Sequence, residues 1–252
     1  MSLADLVKTE KRLTPRRVLV YGSSGQGKST FASQFKNPIF ISTEDGLDSI
    51  ETNKLPLAKS FDQAMEYLTM LYKEDHDYKT VVIDSCDWLE KLIWIDVAKE
   101  HGVKSIEDIG YARGFIFALS YWARITNALD MLKNEKSMNS VLIAHSKIEK
   151  FQCPETADFD RYSPDLHKKA AATLVEWCDD VLFFNSKAYV SSKDGDKSAK
   201  GVGSGERYIF TEARPSYQAK NRLDNLPCEM LWDINNNPYL GFLRELMKEG
   251  GK

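Results

Sequence analysis

Several features that mark secreted, membrane or zinc-scaffold proteins are missing from this sequence of 252 residues. The four cysteines form no C-x-x-C pair, so we expect neither a zinc knuckle nor a redox motif, and a reducing compartment is the default. The most apolar segment, residues 115–125, is too short to span a bilayer, and the basic N-terminal residues precede no signal-peptide-like apolar stretch. The sequence therefore predicts a soluble cytoplasmic protein without a membrane partner.

The sequence also lacks a strong net charge. Its 34 basic and 37 acidic residues give a formal charge of −3, which by itself favours no polyanionic partner. The charge is unevenly spread, because residues 187–222 carry +4 whereas the segments on either side are acidic. A hydrophobic content of 42% excludes a disordered chain and is enough for one large buried core.

Short β-branched runs alternate with helical patterns, which is typical of an α/β fold with a mainly parallel sheet flanked by helices. The predicted strands are Arg17–Tyr21, Ile39–Ser42, Thr80–Asp84, Ser140–Ala144 and Val181–Phe184. The longest periodic segment, Tyr111–Leu132, predicts a helix that covers the sheet. Ala188–Ser192 and Arg207–Thr211 flank a Gly/Ser/Lys-rich stretch and predict a C-terminal antiparallel hairpin. We expect a basic tail over residues 1–16 and one domain over residues 17–252.

The most specific motif follows the first predicted strand. It fits G-x-x-x-x-G-K-[ST], the phosphate loop in which backbone N–H groups surround phosphate oxygens. The predicted nucleotide-binding residues are Gly22, Ser23, Ser24, Gly25, Gln26, Gly27, Lys28, Ser29 and Thr30. In such loops the lysine, here Lys28, neutralises the β- and γ-phosphates of ATP, and the hydroxyl of Ser29 binds Mg²⁺. Thr30 either contacts the α-phosphate or packs in the following helix.

Polar residues follow three other predicted strands, at the edge where parallel sheets bind their ligands. Asp84 has the form of a Walker B acid that holds Mg²⁺, with a helix N-cap as the alternative. Glu44 either orients the attacking water or is a solvated loop acid. His145 either contacts the γ-phosphate or is merely packed. Asp87 is a weaker metal-ligand candidate and is better explained as the start of a helix.

Together these motifs resemble the RecA-like core of P-loop ATPases, and within it the phage-type ATP-binding proteins that include RecA-core single-strand-annealing recombinases. The matching motifs are GSSGQGKST at 22–30, IFISTEDGLD at 39–48, TVVIDS at 80–85, VLIAHSK at 141–147 and AKNR at 219–222. The resemblance implies Mg²⁺-dependent ATP hydrolysis with Glu44 as the catalytic glutamate, and self-assembly into a ring or filament. It also implies that Lys220 and Arg222 reach the γ-phosphate of a neighbouring subunit, the alternative being a solvated basic loop. His145 departs from RecA, which usually has an amide there.

The resemblance also predicts that the protein acts on single-stranded DNA in phage-type recombination or strand annealing, in a bacterial or phage-infected cell. In RecA-like proteins the loop after the sensor strand faces the central channel, and here residues 146–164 mix basic with aromatic groups. The DNA-binding candidates are Lys147, Lys150, Phe151, Arg161, Lys168 and Lys169. The basic segment 187–222 is a second candidate, and a single-strand-binding protein is a further candidate partner.

Two alternatives stay open for this part of the prediction. Acidic residues share the segment 146–164, so a solvated mixed-charge loop explains its composition equally well. The protein is then an ATP-driven switch or remodeller whose ligand is another protein, with the basic hairpin as the docking surface.

Overall fold

The computed structural model describes residues 14–191 and 200–249, in which strands and helices alternate as the apolar runs predict. The strands are β1 (Arg17–Gly22), β2 (Pro38–Ser42), β3 (Asn53–Lys54), β4 (Thr80–Asp84), β5 (Asn139–Phe151), β6 (Phe159–Pro164), β7 (Asp180–Ser191), β8 (Lys200–Phe210) and β9 (Glu229–Trp232). The helices are α1 (Lys28–Ser33), α2 (Phe61–Lys73), α3 (Cys86–Glu100), α4 (Arg113–Lys136), α5 (Lys168–Trp177) and α6 (Pro238–Glu249), with short 3-10 turns at Ile106–Asp108 and Gly110–Ala112.

The strands form one sheet in the order β3-β2-β4-β5-β1-β7-β8-β9, and β6 pairs with β5 outside this row. Pairing is parallel from β3 through β7 and antiparallel for β7–β8, β8–β9 and β5–β6. The phosphate-loop strand β1 therefore lies between β5 and β7. The predicted fold class is confirmed, including the antiparallel strands near the C-terminus.

The sheet is buried on both faces, because alternate residues of each central strand enter different cores. In β1, Leu19 and Tyr21 pack in the core that contains residues of α2, α3, α4 and α5. Val18 and Val20 pack in the second core, with residues of α1 and α6. Packing of both faces of the sheet against these two cores holds the central strands in place, and it therefore positions the residues that follow the strands.

The parallel registers align the ends of the central strands at one edge of the sheet. Gly22 pairs with His145 of β5 and with Phe184 of β7, and Ser42 of β2 pairs with Asp84 of β4. We call this side the carboxyl edge, and the side at which the parallel strands begin the amino edge. The motif residues that the sequence places after separate strands thus meet at the carboxyl edge.

Residues 146–164, which the sequence predicts to be a polar loop, form a β-hairpin instead. Strand β5 continues beyond the predicted end at Ala144 to Phe151, and its outer part pairs antiparallel with β6. Most side chains of this outer part are exposed or half-buried. The loop prediction was wrong because a hairpin with solvent around it needs no apolar alternation, and alternation is the signal on which strand prediction depends.

Helix α4 differs from the predicted Tyr111–Leu132 at both ends. It begins at Arg113, because Tyr111 and Ala112 have left-handed backbone conformations with φ of 60° and 54°, which a helix does not tolerate. It continues to Lys136, where basic residues in the last turn complement the helix dipole.

The predicted C-terminal hairpin consists of β7 and β8, which pair antiparallel. Lys193 and Lys197, predicted at its tip, lie outside the described residues, as do residues 1–13 of the predicted basic tail. Arg16, the last residue of that predicted tail, is 9% exposed, and its carbonyl accepts the N–H of Ser140. In the part of the chain that the structure describes, no helix is both long and apolar enough to cross a membrane.

Candidate nucleotide-binding site

The phosphate loop joins β1 to α1 and holds its lysine in a buried position. Lys28 Nζ donates hydrogen bonds of 2.9 Å to the carbonyl oxygens of Gly22 and Ser23. Lys28 is 6% exposed, and burial lowers the pKa of its ammonium group, although the charge of Asp84 offsets part of this shift. An anion that enters the loop would stabilise the charged form of this buried ammonium group, which is bonded only to neutral carbonyls.

Two positions in the loop require glycine. Gly27 has a left-handed φ of +90°, and a Cβ there would lie only 2.6 Å from Nε1 of Trp232. A Cβ on Gly22 would collide with the carbonyl oxygen of Phe184 on the neighbouring strand. Because these positions have no side chain, the loop packs closely against Phe184 of β7 and Trp232 of β9.

Ser29 and Asp84 form a pair of side chains that fits a metal ion. Ser29 Oγ donates a hydrogen bond of 2.7 Å to Oδ2 of Asp84, which is 4% exposed. Burial raises the pKa of Asp84, and the Ser29 hydrogen bond and the Lys28 charge offset part of the shift. Mg²⁺ takes oxygen ligands and keeps several waters, so one hydroxyl and one carboxylate beside a phosphate site suit it. In residues 14–191 and 200–249 no group of three or more His, Cys, Asp or Glu could hold a metal.

Thr43 connects the ends of β2 and β4. Its hydroxyl donates to the carbonyl of Ser85 (2.7 Å) and accepts the N–H of Ser85 (3.0 Å), while its own N–H donates to the carbonyl of Asp84 (2.8 Å). These bonds hold the next residue, Glu44, in place relative to Asp84. Burial raises the pKa of Glu44, and the charge of His145 offsets part of this shift. A carboxylate held in this way accepts a proton more readily than a solvated one.

His145 is oriented by Asp87, in the first turn of α3. Asp87 Oδ2 lies 3.0 Å from Nδ1 of His145, and Oδ1 accepts the backbone N–H of His145 at 3.0 Å. The hydrogen bond to Asp87 raises the pKa of His145 and outweighs the opposing effect of burial. With Nδ1 bonded to Asp87, Nε2 is the ring nitrogen left for the pocket that His145 lines. Asp87 lies in the first turn of α3, one residue after the helix begins at Cys86, and sequence reasoning missed its bond to His145.

These groups surround one pocket of about 410 Å³ at the carboxyl edge. The predicted site residues that line it are Ser24, Gly25, Gly27, Lys28, Ser29, Thr30, Glu44, Asp84 and His145. Gly22, Ser23 and Gln26 belong to the loop but lie outside the lining. The pocket also contains Arg207 of β8, which sequence reasoning assigned only to the basic segment. Chemically, the pocket offers an amine, backbone N–H groups, a hydroxyl–carboxylate pair and a second carboxylate, which suits a polyphosphate with a cation and a water.

A comparison with known families identifies the chain. Residues 14–223 match the AAA domain family AAA_24. The chain belongs to this AAA domain family. The matched segment contains the phosphate loop, strands β1 to β8 and every residue that lines the pocket.

Two individual proteins are similar to this AAA domain chain. The SPbeta prophage-derived uncharacterized protein YorG of Bacillus subtilis (strain 168) is 22% identical over 213 residues, which cover 82% of this chain and 62% of that protein. The chain therefore spans less than two thirds of this relative's length. Among solved structures, the RadB recombinase has a TM-score of 0.49 and 15% identity, over 86% of this chain and 87% of that one. The fold assignment rests on the strand order and not on this likeness.

In this AAA domain, Lys220 and Arg222 lie at the amino edge, away from the phosphate loop of the same chain. The backbone of Lys220 pairs with Val181 near the start of β7, and its Nζ donates to the carbonyl of Glu176 at 3.0 Å. Arg222 Nη1 lies 3.2 Å from Oδ1 of Asp179, and the arginine side chain is 55% exposed. A role at the active site of a neighbouring subunit stays a prediction.

The predicted DNA-contacting residues lie on the β5–β6 hairpin and in the first turn of α5. They are Lys147, Lys150, Phe151, Arg161, Lys168 and Lys169. The guanidinium of Arg161 lies over the ring of Phe151 at 5.0 Å, and Phe151 is 37% exposed. Lys147 donates a hydrogen bond to the carbonyl of Leu166, just before α5. Because β5 carries both His145 and Lys147, the pocket and the hairpin share one strand.

The described residues of the basic segment 187–222 do not form one continuous strip. Lys187 Nζ lies 2.6 Å from Oε1 of Glu229, whereas Arg207 lines the pocket and Arg222 lies at the amino edge. Arg207 pairs with Ser186, next to Lys187, whereas β8 runs antiparallel to β7 and so leads the chain back to the amino edge, where Arg222 lies. Sequence reasoning missed this separation, since net charge along the chain contains no information on strand pairing.

Proposed function

We propose that this protein is a Mg²⁺-dependent ATPase of the RecA type that acts on single-stranded DNA. The observation that supports the proposal most directly is the pocket, in which Lys28, the Ser29–Asp84 pair and Glu44 come together from separate segments. Transfer of a phosphoryl group to water requires a phosphate-binding cation, a metal-binding pair and a group that orients the water. Each of these chemical functions has a candidate residue in the pocket.

Binding of ATP would change the partners of Lys28. Its ammonium group would exchange the two loop carbonyls for β- and γ-phosphate oxygens, and the phosphate charge would favour the charged form that burial now disfavours. Ser29 and Asp84 would hold Mg²⁺, which supplies positive charge next to the transferred phosphoryl group. The loop N–H groups would bind the remaining phosphate oxygens.

Hydrolysis would then depend on Glu44. Its carboxylate would orient a water for in-line attack on the γ-phosphorus, the bond from the γ-phosphorus to the ADP oxygen would break, and the water proton would pass to Glu44. The raised pKa of Glu44 helps it to accept this proton. His145, held by Asp87, would bind the γ-phosphate through Nε2 and lose that contact when phosphate leaves.

The DNA part of the proposal rests on the hairpin. Phe151 is exposed and forms an aromatic–cation pair with the half-buried Arg161. A base can stack on this pair, and nearby lysines can neutralise phosphates. Since His145 and Lys147 lie on the same strand, loss of the γ-phosphate contact would reach the hairpin directly. A prophage-derived relative supports a phage origin. A role in recombination, assembly into a ring or filament and a single-strand-binding protein as partner belong to the proposal and have no support in that relative.

Turnover assays with and without an oligo(dT) single strand test the proposal. We expect the single strand to stimulate ATP turnover, less so as salt rises, because phosphate contacts are screened. Lys28→Ala should abolish turnover under all conditions. The double variant Lys150→Glu/Lys169→Glu should bind the oligonucleotide more weakly, whereas Lys73→Glu, an exposed charge reversal at the end of α2, should bind it normally.

The outcomes separate the two parts of the proposal. Turnover that requires Lys28 but is unchanged by oligo(dT) at low salt, with no oligo(dT) binding, contradicts the DNA part and favours a protein ligand. Absence of turnover in the wild type, with or without DNA, contradicts the ATPase part.

A further inference from the structure

Arg207 is an arginine in the phosphate pocket that the proposed mechanism does not use. It lies on β8, where it pairs with Ser186 of β7 and with Trp232 of β9. Ser186 is itself close to the phosphate loop, since its Oγ lies 3.4 Å from Oε1 of Gln26. The antiparallel end of the sheet thus brings Arg207 beside the loop, although about 180 residues separate the two in sequence.

The guanidinium of Arg207 lies next to the glycine before Lys28. A Cβ built on Gly27 would be 3.6 Å from Nη1 of Arg207. Gly27 has no side chain, so at this residue nothing separates the guanidinium from the loop backbone, which would surround phosphate oxygens. Arg207 also lines the same pocket as Lys28 and Ser29. Its position is therefore that of a group directed at the contents of the pocket.

The charges in the pocket indicate which ligand this guanidinium suits. Three acids, Glu44, Asp45 and Asp84, line the pocket and would repel the phosphates of ATP. Among the described residues, Lys28 and Arg207 are the two lysine or arginine side chains in the lining. Among the described residues Arg207 has no carboxylate partner, whereas Arg16 and Arg17 each have one. A planar guanidinium without a carboxylate partner matches phosphate oxygens in geometry and charge.

We propose that Arg207 is a nucleotide-contacting residue whose guanidinium binds a phosphate of the ATP held by its own chain. The inference rests on the proposed ATP binding at the loop. Arg207 would act on the nucleotide of its own chain, whereas Arg222 is predicted to act on the nucleotide of a neighbouring subunit.

Equilibrium binding of a fluorescent ATP analogue tests the contact. Arg207→Ala should raise the Kd for the analogue about 10- to 100-fold, the usual effect of removing a charged hydrogen-bond partner. Arg207→Lys should recover part of the loss, because it keeps the charge but not the planar fork. Arg214→Ala removes the same charge from an exposed position outside the pocket lining and should change the Kd less than about twofold. Adenosine, used as a competitor, should bind wild type and Arg207→Ala equally.

Three results would overturn the assignment to a phosphate. These are an unchanged Kd in Arg207→Ala, an equal loss for adenosine, and a loss of oligo(dT) binding without any loss of nucleotide binding. Lys28→Ala separates this failure from failure of the proposed function. If Lys28→Ala binds the analogue as well as the wild type does, the phosphate site itself is wrong. If Lys28→Ala raises the Kd but Arg207→Ala does not, the phosphate site stands and only the contact assigned to Arg207 is wrong.

Mixed assemblies distinguish action within the chain from action on a neighbour. Chains with Arg207→Ala are mixed with chains that carry Lys28→Ala, which keep Arg207 but have a disabled loop. If Arg207 acts within its own chain, the mixture binds no more ATP analogue than the two separate variants together. Recovery of tight binding in the mixture would show that Arg207 serves a neighbouring subunit and would contradict the proposal.

Discussion

The two edges of the central sheet treat their charges in opposite ways. At the amino edge, Arg16 donates to both oxygens of Asp180 at 2.7 and 2.9 Å, and the hydroxyl of Tyr239 donates to Asp180 at 2.6 Å. Arg17 and Arg222, together with Lys133, surround the neighbouring Asp179. At the carboxyl edge, Lys28 is bonded to neutral carbonyls.

The pKa directions express the same difference. Burial alone would raise the pKa of Asp179 and lower that of Arg16, but their ion partners outweigh burial, so both charged forms are favoured. For three groups at the carboxyl edge burial prevails, and it lowers the pKa of Lys28 while raising those of Glu44 and Asp84. The Asp87–His145 pair is the exception at this edge, because its hydrogen bonds outweigh burial. Paired charges at the amino edge stabilise the fold, whereas incompletely paired charges at the carboxyl edge favour a charged ligand.

The largest expected effect concerns Arg222, an amino-edge residue that is predicted to act in catalysis and would therefore be an exception to this comparison. Arg222→Ala should lower ATP turnover of the assembled protein by about 10³- to 10⁵-fold, the usual contribution of a trans-acting arginine. The free energy of unfolding should change by less than about 1 kcal/mol, since the ion pair with Asp179 is half-exposed. Turnover assays and denaturant titration measure the two quantities.

Mixing provides the control for Arg222. Chains with Arg222→Ala and chains with Glu44→Gln should together regain activity, because one chain supplies the arginine and the other the glutamate. If confirmed mixed assemblies regain none, Arg222 does not act on a neighbour.

The second prediction concerns the carboxyl edge. Glu44→Gln should lower turnover by about 10²- to 10⁴-fold while ATP still binds, since the amide cannot accept the water proton. Asp45→Asn, a change of the same kind at the next residue, should lower turnover less than tenfold. Single-turnover and binding measurements separate the two effects. Turnover of Glu44→Gln within tenfold of wild type would remove Glu44 from the mechanism.

The third prediction tests whether the amino edge serves stability. Asp180→Ala leaves Arg16 buried without its partner and Tyr239 without its acceptor, so the free energy of unfolding should fall by about 3–5 kcal/mol. ATP affinity of the folded fraction should not change. Asp77→Ala, at an exposed aspartate, should have little effect on stability. A loss below about 1 kcal/mol for Asp180→Ala would contradict the contrast between the edges.

The smallest expected effect involves a buried acid of α3. Burial raises the pKa of Glu90 from 4.5 to about 7. The folded state therefore binds this proton more tightly than the unfolded state, and stability falls as pH rises from about 4.5 to about 7, by at most about 3 kcal/mol. Glu90→Gln should lose this part of the pH dependence in urea titrations at pH 5 and pH 8. An unchanged difference between the two pH values would contradict it.

Much of the site could be predicted because its signals are local. The phosphate loop is a continuous motif, and Asp84 and His145 each end a short apolar run that reads as a strand. The contacts that orient these residues could not be predicted. Thr43 binds Ser85 across 42 positions and Asp87 binds His145 across 58, and no periodicity in the sequence links such pairs.

The hairpin shows a second limit of sequence reasoning. The composition of residues 146–164 is mixed in charge, and this led to the prediction of a loop. Backbone pairing between β5 and β6 makes it a hairpin, with hydrogen bonds that any side chains allow. Composition indicates which segments are buried, and a solvated hairpin buries few apolar side chains, so its composition does not distinguish it from a loop.

The α/β class, the order of most elements and the phosphate loop could be predicted from the sequence, because each depends on residues that are neighbours in the chain. The place of Arg207 beside the loop, of Arg222 at the opposite edge and of Asp87 against His145 follows from the tertiary structure. The reason is physical: strand order and register, which arise from packing of distant segments, decide which charges meet. Composition alone, with a net charge of −3, contains no trace of that separation.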